Sequence, residues 1–133
     1  METQDLTVEN SICQDFYLKG LMEFEKNDFN SAIAFFSNSI FLDDKKMEAY
    51  LMRGIVYIEK QMFQNAVEDL TCAIQLKPDH YETYNYRGLA YFMQKKYDKA
   101  TIDLSKSVIL KPDDVFAANI LQLINKKYKE VAD

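Results

Sequence analysis

Residues 47–80, MEAYLMRGIVYIEKQMFQNAVEDLTCAIQLKPDH, and residues 81–114, YETYNYRGLAYFMQKKYDKATIDLSKSVILKPDD, align without a gap and share twelve of 34 positions. The shared positions are Glu48/Glu82, Tyr50/Tyr84, Arg53/Arg87, Gly54/Gly88, Tyr57/Tyr91, Ala66/Ala100, Asp69/Asp103, Leu70/Leu104, Leu76/Leu110, Lys77/Lys111, Pro78/Pro112 and Asp79/Asp113. The chain has only three glycines, Gly20, Gly54 and Gly88, and two prolines, Pro78 and Pro112, and within each set the interval is 34. Residues 13–46 form a weaker copy, with Phe16, Gly20, Phe29, Ala32, Phe36, Ile40 and Leu42 in phase but Asp44 where the other two have proline. The array therefore has three units.

Each unit divides into two stretches of about fourteen residues with apolar spacing of three and four, as in Tyr50, Tyr57 and Ile58, then Phe63, Val67, Leu70 and Ile74. That spacing predicts a helix pair. Glycine inside a helix costs roughly 1 kcal/mol against alanine, so its periodic return predicts a close approach by the neighbouring helix. Lys-Pro-Asp at 77–79 and 111–113 ends one helix and starts the next, because proline cannot continue a helix and its predecessor leaves the α region. Beyond the last proline, Ala117, Ile120, Leu121, Ile124 and Tyr128 share one face and Asn119, Gln122, Asn125, Lys126 and Lys129 the other. A helix over 115–130 then caps the array with its polar side to water. Asn10 or Ser11 is the expected N-cap of the first helix, with 1–9 loose before it.

The run Tyr50, Arg53, Gly54, Tyr57, Ala66, Leu70, Ala73, Pro78, repeated as Tyr84, Arg87, Gly88, Tyr91, Ala100, Leu104, Ser107, Pro112, resembles the tetratricopeptide repeat. The resemblance covers about 102 residues, and the first copy departs from the pattern at Glu23 and Asp44. It implies an all-α fold, an α-solenoid of three helix-turn-helix repeats (13–46, 47–80 and 81–114) with a C-terminal capping helix, giving one domain over 11–133 after an N-terminal extension of 1–10. Seven helices are expected.

Composition bounds the chemistry. The 133 residues are 48% hydrophobic and 28% charged, with a net charge of -5 and a pI near 4.9, which supports a full core without metals or disulfides. Fourteen of the sixteen basic residues are lysine, not the arginine that phosphate and base contacts favour, so nucleic acid is not an expected partner. No run approaches the roughly 18 apolar residues of a membrane span, so no membrane partner is expected either. Residues 1–10, METQDLTVEN, hold three acids and no base, unlike a signal peptide. With Cys13 and Cys72 standing 59 positions apart as unpaired thiols, a cytoplasmic protein is expected.

Candidate catalytic residues are scarce. His80 is the only histidine and falls in an inter-repeat turn; the acid pairs Asp43/Asp44 and Asp113/Asp114 fall at helix junctions, where carboxylates suit the next N-terminus. No cluster has metal-ligand or triad spacing, so neither an enzyme, a metal site nor a cofactor is expected. The two arginines, Arg53 and Arg87, occupy one repeat position, each with an aspartate sixteen residues on, Asp69 and Asp103, whereas the first repeat has Lys19 and Phe35 there. This co-occurrence predicts two structural ion pairs.

The resemblance also implies a concave surface made by the first helix of each repeat, with protein function read from that groove. The side chains expected there are Tyr17, Leu21 and Phe24; Leu51, Met52, Ile55 and Ile58; and Asn85, Tyr86, Leu89 and Phe92, followed by Phe116 and Leu123 on the cap. Glu25, Glu48, Glu59 and Glu82 border them. An adaptor or chaperone-like interaction module is expected, taking a protein or peptide with apolar anchors and basic flanks. A self-associating scaffold whose groove is an oligomer interface is the alternative, as is a small secretion-chaperone-like protein. Family members that grip the acidic tails of heat-shock chaperones use a carboxylate clamp of basic and amide side chains. The matching positions here are Tyr17, Leu21, Met52, Glu82 and Tyr86, so that ligand is expected to be excluded.

Overall fold

The computed structural model describes residues 2–132, with side chains over 6–131. Seven helices follow in order: α1 (Glu2–Glu25), α2 (Phe29–Leu42), α3 (Met47–Glu59), α4 (Phe63–Leu76), α5 (Tyr81–Met93), α6 (Tyr97–Leu110) and α7 (Val115–Ala132). No strand occurs among the described residues. The fold is an all-α solenoid of three helix pairs and a last helix. One boundary differs from expectation: α1 runs unbroken through Asn10 and Ser11, because 2–12 contains no proline or glycine and nothing obliges the helix to start at a capping residue.

Within each pair the helices are joined by three residues, the middle of which is left-handed: Asn27 (φ 61°), Gln61 (φ 59°) and Lys95 (φ 62°). The chain closes around each with paired backbone bonds, such as Gln61 N–H to the Ile58 carbonyl at 2.9 Å and Met62 N–H to the Tyr57 carbonyl at 2.8 Å, the pattern by which a helix satisfies its last carbonyls. At the α2–α3 junction the acids do not cap as expected. Asp28 caps α2 by accepting from Ser31 N–H, but α3 to α6 have no side-chain cap. Asp43 instead accepts from Lys45 N–H inside its turn.

The glycines mark close contact. A β-carbon on Gly54 would lie 2.8 Å from Leu70 Cγ, one on Gly88 2.8 Å from Leu104 Cγ, and one on Gly20 2.6 Å from the Phe36 ring. The core is shared between repeats: Ala32 and Phe36 pack with Val56 of the next unit, Met47, Leu51, Ala66, Val67, Leu70 and Ala73 with Ala90, and Ala100 and Leu104 with Ala117, Ile120 and Ile124 of α7. No repeat closes its own core, so each depends on its neighbour. On α7 the polar residues Asn119, Gln122, Asn125, Lys126 and Lys129 are all exposed.

The ion pairs form as expected and extend further. Arg53 donates Nε and Nη2 to the two Asp69 oxygens at 2.7 Å each, while Nη1 reaches Ser37 Oγ of the preceding repeat at 2.9 Å. Arg87 repeats this with Asp103 at 2.7 Å twice and Thr71 Oγ1 at 3.1 Å. Each arginine thus ties its own repeat together and fastens it to the one before.

Candidate functional site

Helix α1 touches α3, α3 touches α5 and α5 touches α7, whereas α2, α4 and α6 do not touch one another among the described residues. The odd-numbered helices therefore line the inner side of the curve. Of the side chains expected there, Tyr17, Leu21, Phe24, Met52, Ile55, Ile58, Tyr86, Leu89 and Phe92 are half-buried. Each packs by one side onto a core cluster: the first four on that of Phe36, Ile55, Ile58 and Tyr86 on that of Leu70, and Leu89 and Phe92 on that of Leu104. Leu51 is different. At 7% exposure it belongs to the central core beside Leu70 and Ala90, because α5 closes over it.

Asn85 is also buried, at 5% exposure. Its Nδ2 donates to Asp114 Oδ2 at 2.7 Å, and its Oδ1 has no partner. This is where Asp114 spends its carboxylate.

Two recesses break the surface of the odd helices. One, of about 260 Å³, is lined by Ile58, Glu59, Gln61, Phe63, Leu89 and Met93, joining the C-terminal ends of α3 and α5. The other, of about 320 Å³, is lined by Tyr81, Glu82, Asn85, Tyr86, Asp114 and Phe116, between the start of α5 and the start of α7. Phe63, Met93, Tyr81 and Asp114 are absent from the sequence-based set. Comparing the last residue of each repeat, Lys46, His80 and Asp114, is the signal that finds Asp114, since the charge reverses at a fixed register.

Burial pushes the Tyr86 phenol above its ordinary value, and the nearby Glu82 and Glu59 carboxylates push it further. Burial and Glu48 do the same to Tyr17. Both phenols thus stand near carboxylates on an otherwise apolar inner surface. Among the described residues, no three histidine, cysteine or acidic side chains are grouped to hold a metal, and no helix is long and apolar enough to cross a membrane. Cys13 is buried against Ser39, its Sγ 3.1 Å from Ser39 Oγ.

Residues 48–80 and 81–114 each match a family model described as tetratricopeptide repeat. No curated protein sequence matches the chain. Among solved structures, the chain is similar to the Arabidopsis OM64 TPR domain (TM-score 0.88, 23% identity, covering 90% of this chain and 98% of that one). It is similar to the first TPR of Spaghetti (RPAP3) bound to the HSP90 peptide SRMEEVD (TM-score 0.88, 22% identity, covering 90% and 95%). The second TPR domain of human RPAP3, in complex with the HSP70 peptide SGPTIEEVD, is also similar (TM-score 0.82, 22% identity, covering 90% and 98%).

These last two structures overturn the expected exclusion of acidic chaperone tails. Domains of the same backbone and of low identity to this chain hold such peptides. A peptide lies along a whole surface, so the side chains at Tyr17, Leu21, Met52, Glu82 and Tyr86 do not by themselves decide against it.

Proposed function

The chain belongs to the tetratricopeptide-repeat family, and from that premise we propose that it is a protein-interaction module that binds a segment of a partner protein along its inner surface. The observation that carries this is the recess between α3 and α5, where Ile58, Leu89, Phe63 and Met93 offer apolar walls beside the exposed Glu59. An apolar side chain seated there gains affinity at about 25 cal/mol per Å² of area removed from water. Tyr17, Leu21, Phe24, Met52 and Ile55 extend the same surface toward the first repeat, and Tyr86 and Phe92 toward the cap. Central apolar anchors dominate interfaces of this kind.

Met93 is the best place to test the proposal, because it is 48% exposed and still lines the recess. A panel of immobilised peptides carrying aliphatic or aromatic anchors, with the acidic tail SRMEEVD included, is titrated with the protein and with Met93→Glu. Binding of a panel member, lost in Met93→Glu and kept in Lys106→Glu on the outer helix α6, supports the proposal. Equal binding by all three proteins overturns it. So does light scattering that shows a stable dimer dissociated by Met93→Glu with no peptide bound, since the surface then belongs to a second copy.

A further inference from the structure

The recess at the start of α5 and α7 has the composition of a cation site, and at the same register two repeats earlier a lysine of the chain itself stands over an aromatic ring. At the first junction Lys46 Nζ stands 4.7 Å from the centre of the Tyr17 ring and donates to Gln14 Oε1 at 2.6 Å. Moving each residue on by 68 positions, two repeat lengths, turns Gln14 into Glu82, Tyr17 into Asn85 and Lys46 into Asp114. The third junction therefore has a carboxylate where the first has its lysine and a second carboxylate in place of Gln14. The aromatic surface is retained by other residues: Tyr81, Tyr86 and Phe116 line the recess, with the Tyr86 and Phe116 rings 6.0 Å apart at 49°.

The polar groups there are unbalanced. Among the described residues neither Glu82 nor Asp114 has a cationic partner within ion-pair distance, and the nearby Lys111 pairs with Asp113 at 3.8 Å while its Nζ lies 5.9 Å from the Tyr81 ring. The Asp114 carboxylate is met only by the Asn85 amide, whose own Oδ1 is buried with no hydrogen bond. Two carboxylates and the paired rings of Tyr86 and Phe116 ask for a flat cation with several N–H donors. The volume, about 320 Å³, lies at the low end of ligand sites, suited to one side chain and not to a folded element.

We propose that this recess is a specific pocket for an arginine side chain of the bound partner, its guanidinium held by Glu82 and Asp114 against Tyr86 and Phe116. The proposal rests on the interaction-module reading only for the source of the side chain. The pocket itself is a separate claim about α5 and α7. It gives the inner surface a polarity, with an apolar anchor at the C-terminal ends of α3 and α5 and a basic one at the N-terminal ends of α5 and α7, and so fixes the direction in which a segment lies.

The test uses a probe too small to need the rest of the surface. N-acetyl-arginine N-methylamide is titrated into the full chain while backbone, Asn85 side-chain amide and aromatic NMR signals are followed, with the norleucine and lysine analogues as controls. The expected result is a saturable shift centred on Asn85, Tyr86 and Phe116, weaker for lysine and absent for norleucine. Glu82→Gln, on an exposed position, weakens arginine binding by at least about tenfold, as does Asp114→Asn. Shifts of equal size with norleucine, a shift map centred elsewhere, or unchanged binding in Glu82→Gln overturns the pocket. If arginine binds here while no peptide binds the α3–α5 recess, the interaction-module reading fails and the pocket stands. The reverse pattern removes the pocket alone.

Discussion

Arg53 and Asp69 lie on different helices of one repeat and meet through two parallel 2.7 Å hydrogen bonds, with only 20% and 7% of their side chains exposed. The fifteen residues between them are thereby pinned into a fixed angle between α3 and α4.

Such a pair is costly to break and cheap to replace. Asp69→Ala should destabilise the protein by about 3 kcal/mol, because the Arg53 guanidinium is left desolvated without its carboxylate, whereas Arg53→Met combined with Asp69→Leu should lose clearly less. Urea melts of the two single variants and the double variant measure the coupling. Strictly additive losses would contradict a buried pair.

Glycine-to-leucine exchange reports the helix approach. Gly54→Leu should cost about 2 kcal/mol despite the better helix propensity of leucine, since even a β-carbon there meets the branch point of Leu70. A melt unchanged from wild type shows instead that α3 and α4 part without penalty.

The three left-handed turn residues predict a gain. Gln61→Gly and Lys95→Gly should each stabilise by about 0.5 kcal/mol, the relief of a side chain held at positive φ exceeding the entropy that glycine adds to the unfolded chain. Thermal melts of the double variant, compared with Gln64→Gly inside α4, check both sign and position.

Leu51 and Met93 separate core from surface on the inner side. Leu51→Ala should lose about 3 kcal/mol, as for other buried leucines, while Met93→Ala should stay within about 0.5 kcal/mol of wild type. Equal losses in denaturant melts would mean that the inner surface is packed alike throughout.

Ionisation of Tyr86 reads the field in the arginine pocket. Its folded value is raised by burial and by Glu82, so its contribution to stability is present below the ordinary tyrosine value and is lost as pH rises through that value toward the folded one. Glu82→Gln should move the ionisation of this ring to lower pH, as followed by the chemical shift of its Cζ. No movement would mean that the carboxylate is screened from the phenol.

The interval of 34 carries most of the fold, since glycine, proline and the arginine–aspartate pairs all obey it and each has one physical reason to stand where it does. The reach of Arg53 to Ser37 and of Arg87 to Thr71 was not legible, because a hydroxyl on a helix surface has no pattern of its own. Helix α1 exceeded its expected start because Asn10 and Ser11 favour caps but tolerate helix. Leu51 and Ile58 look equivalent in the sequence, and only the packing of the folded chain puts Leu51 inside the cluster of Leu70 and Ala90 and leaves Ile58 at its edge. Asn85 is a polar side chain among apolar neighbours in the sequence, but its link to Asp114 spans 29 positions and is visible only when the ends of the repeats are compared.

The arginine relays also distribute stiffness unevenly along the arc. Arg53 rivets the second repeat to the first and Arg87 the third to the second, but Leu121 stands on α7 in the register of the arginines, so the third joint has no rivet. It is held by the Ala100–Ile124 cluster, the Asn85–Asp114 bond and the contact of Tyr128 with Asp98. That joint is the one spanned by Asn85, Asp114 and Phe116, so a cation clasped there adds to it the kind of charged cross-link that the other two joints have in their arginines.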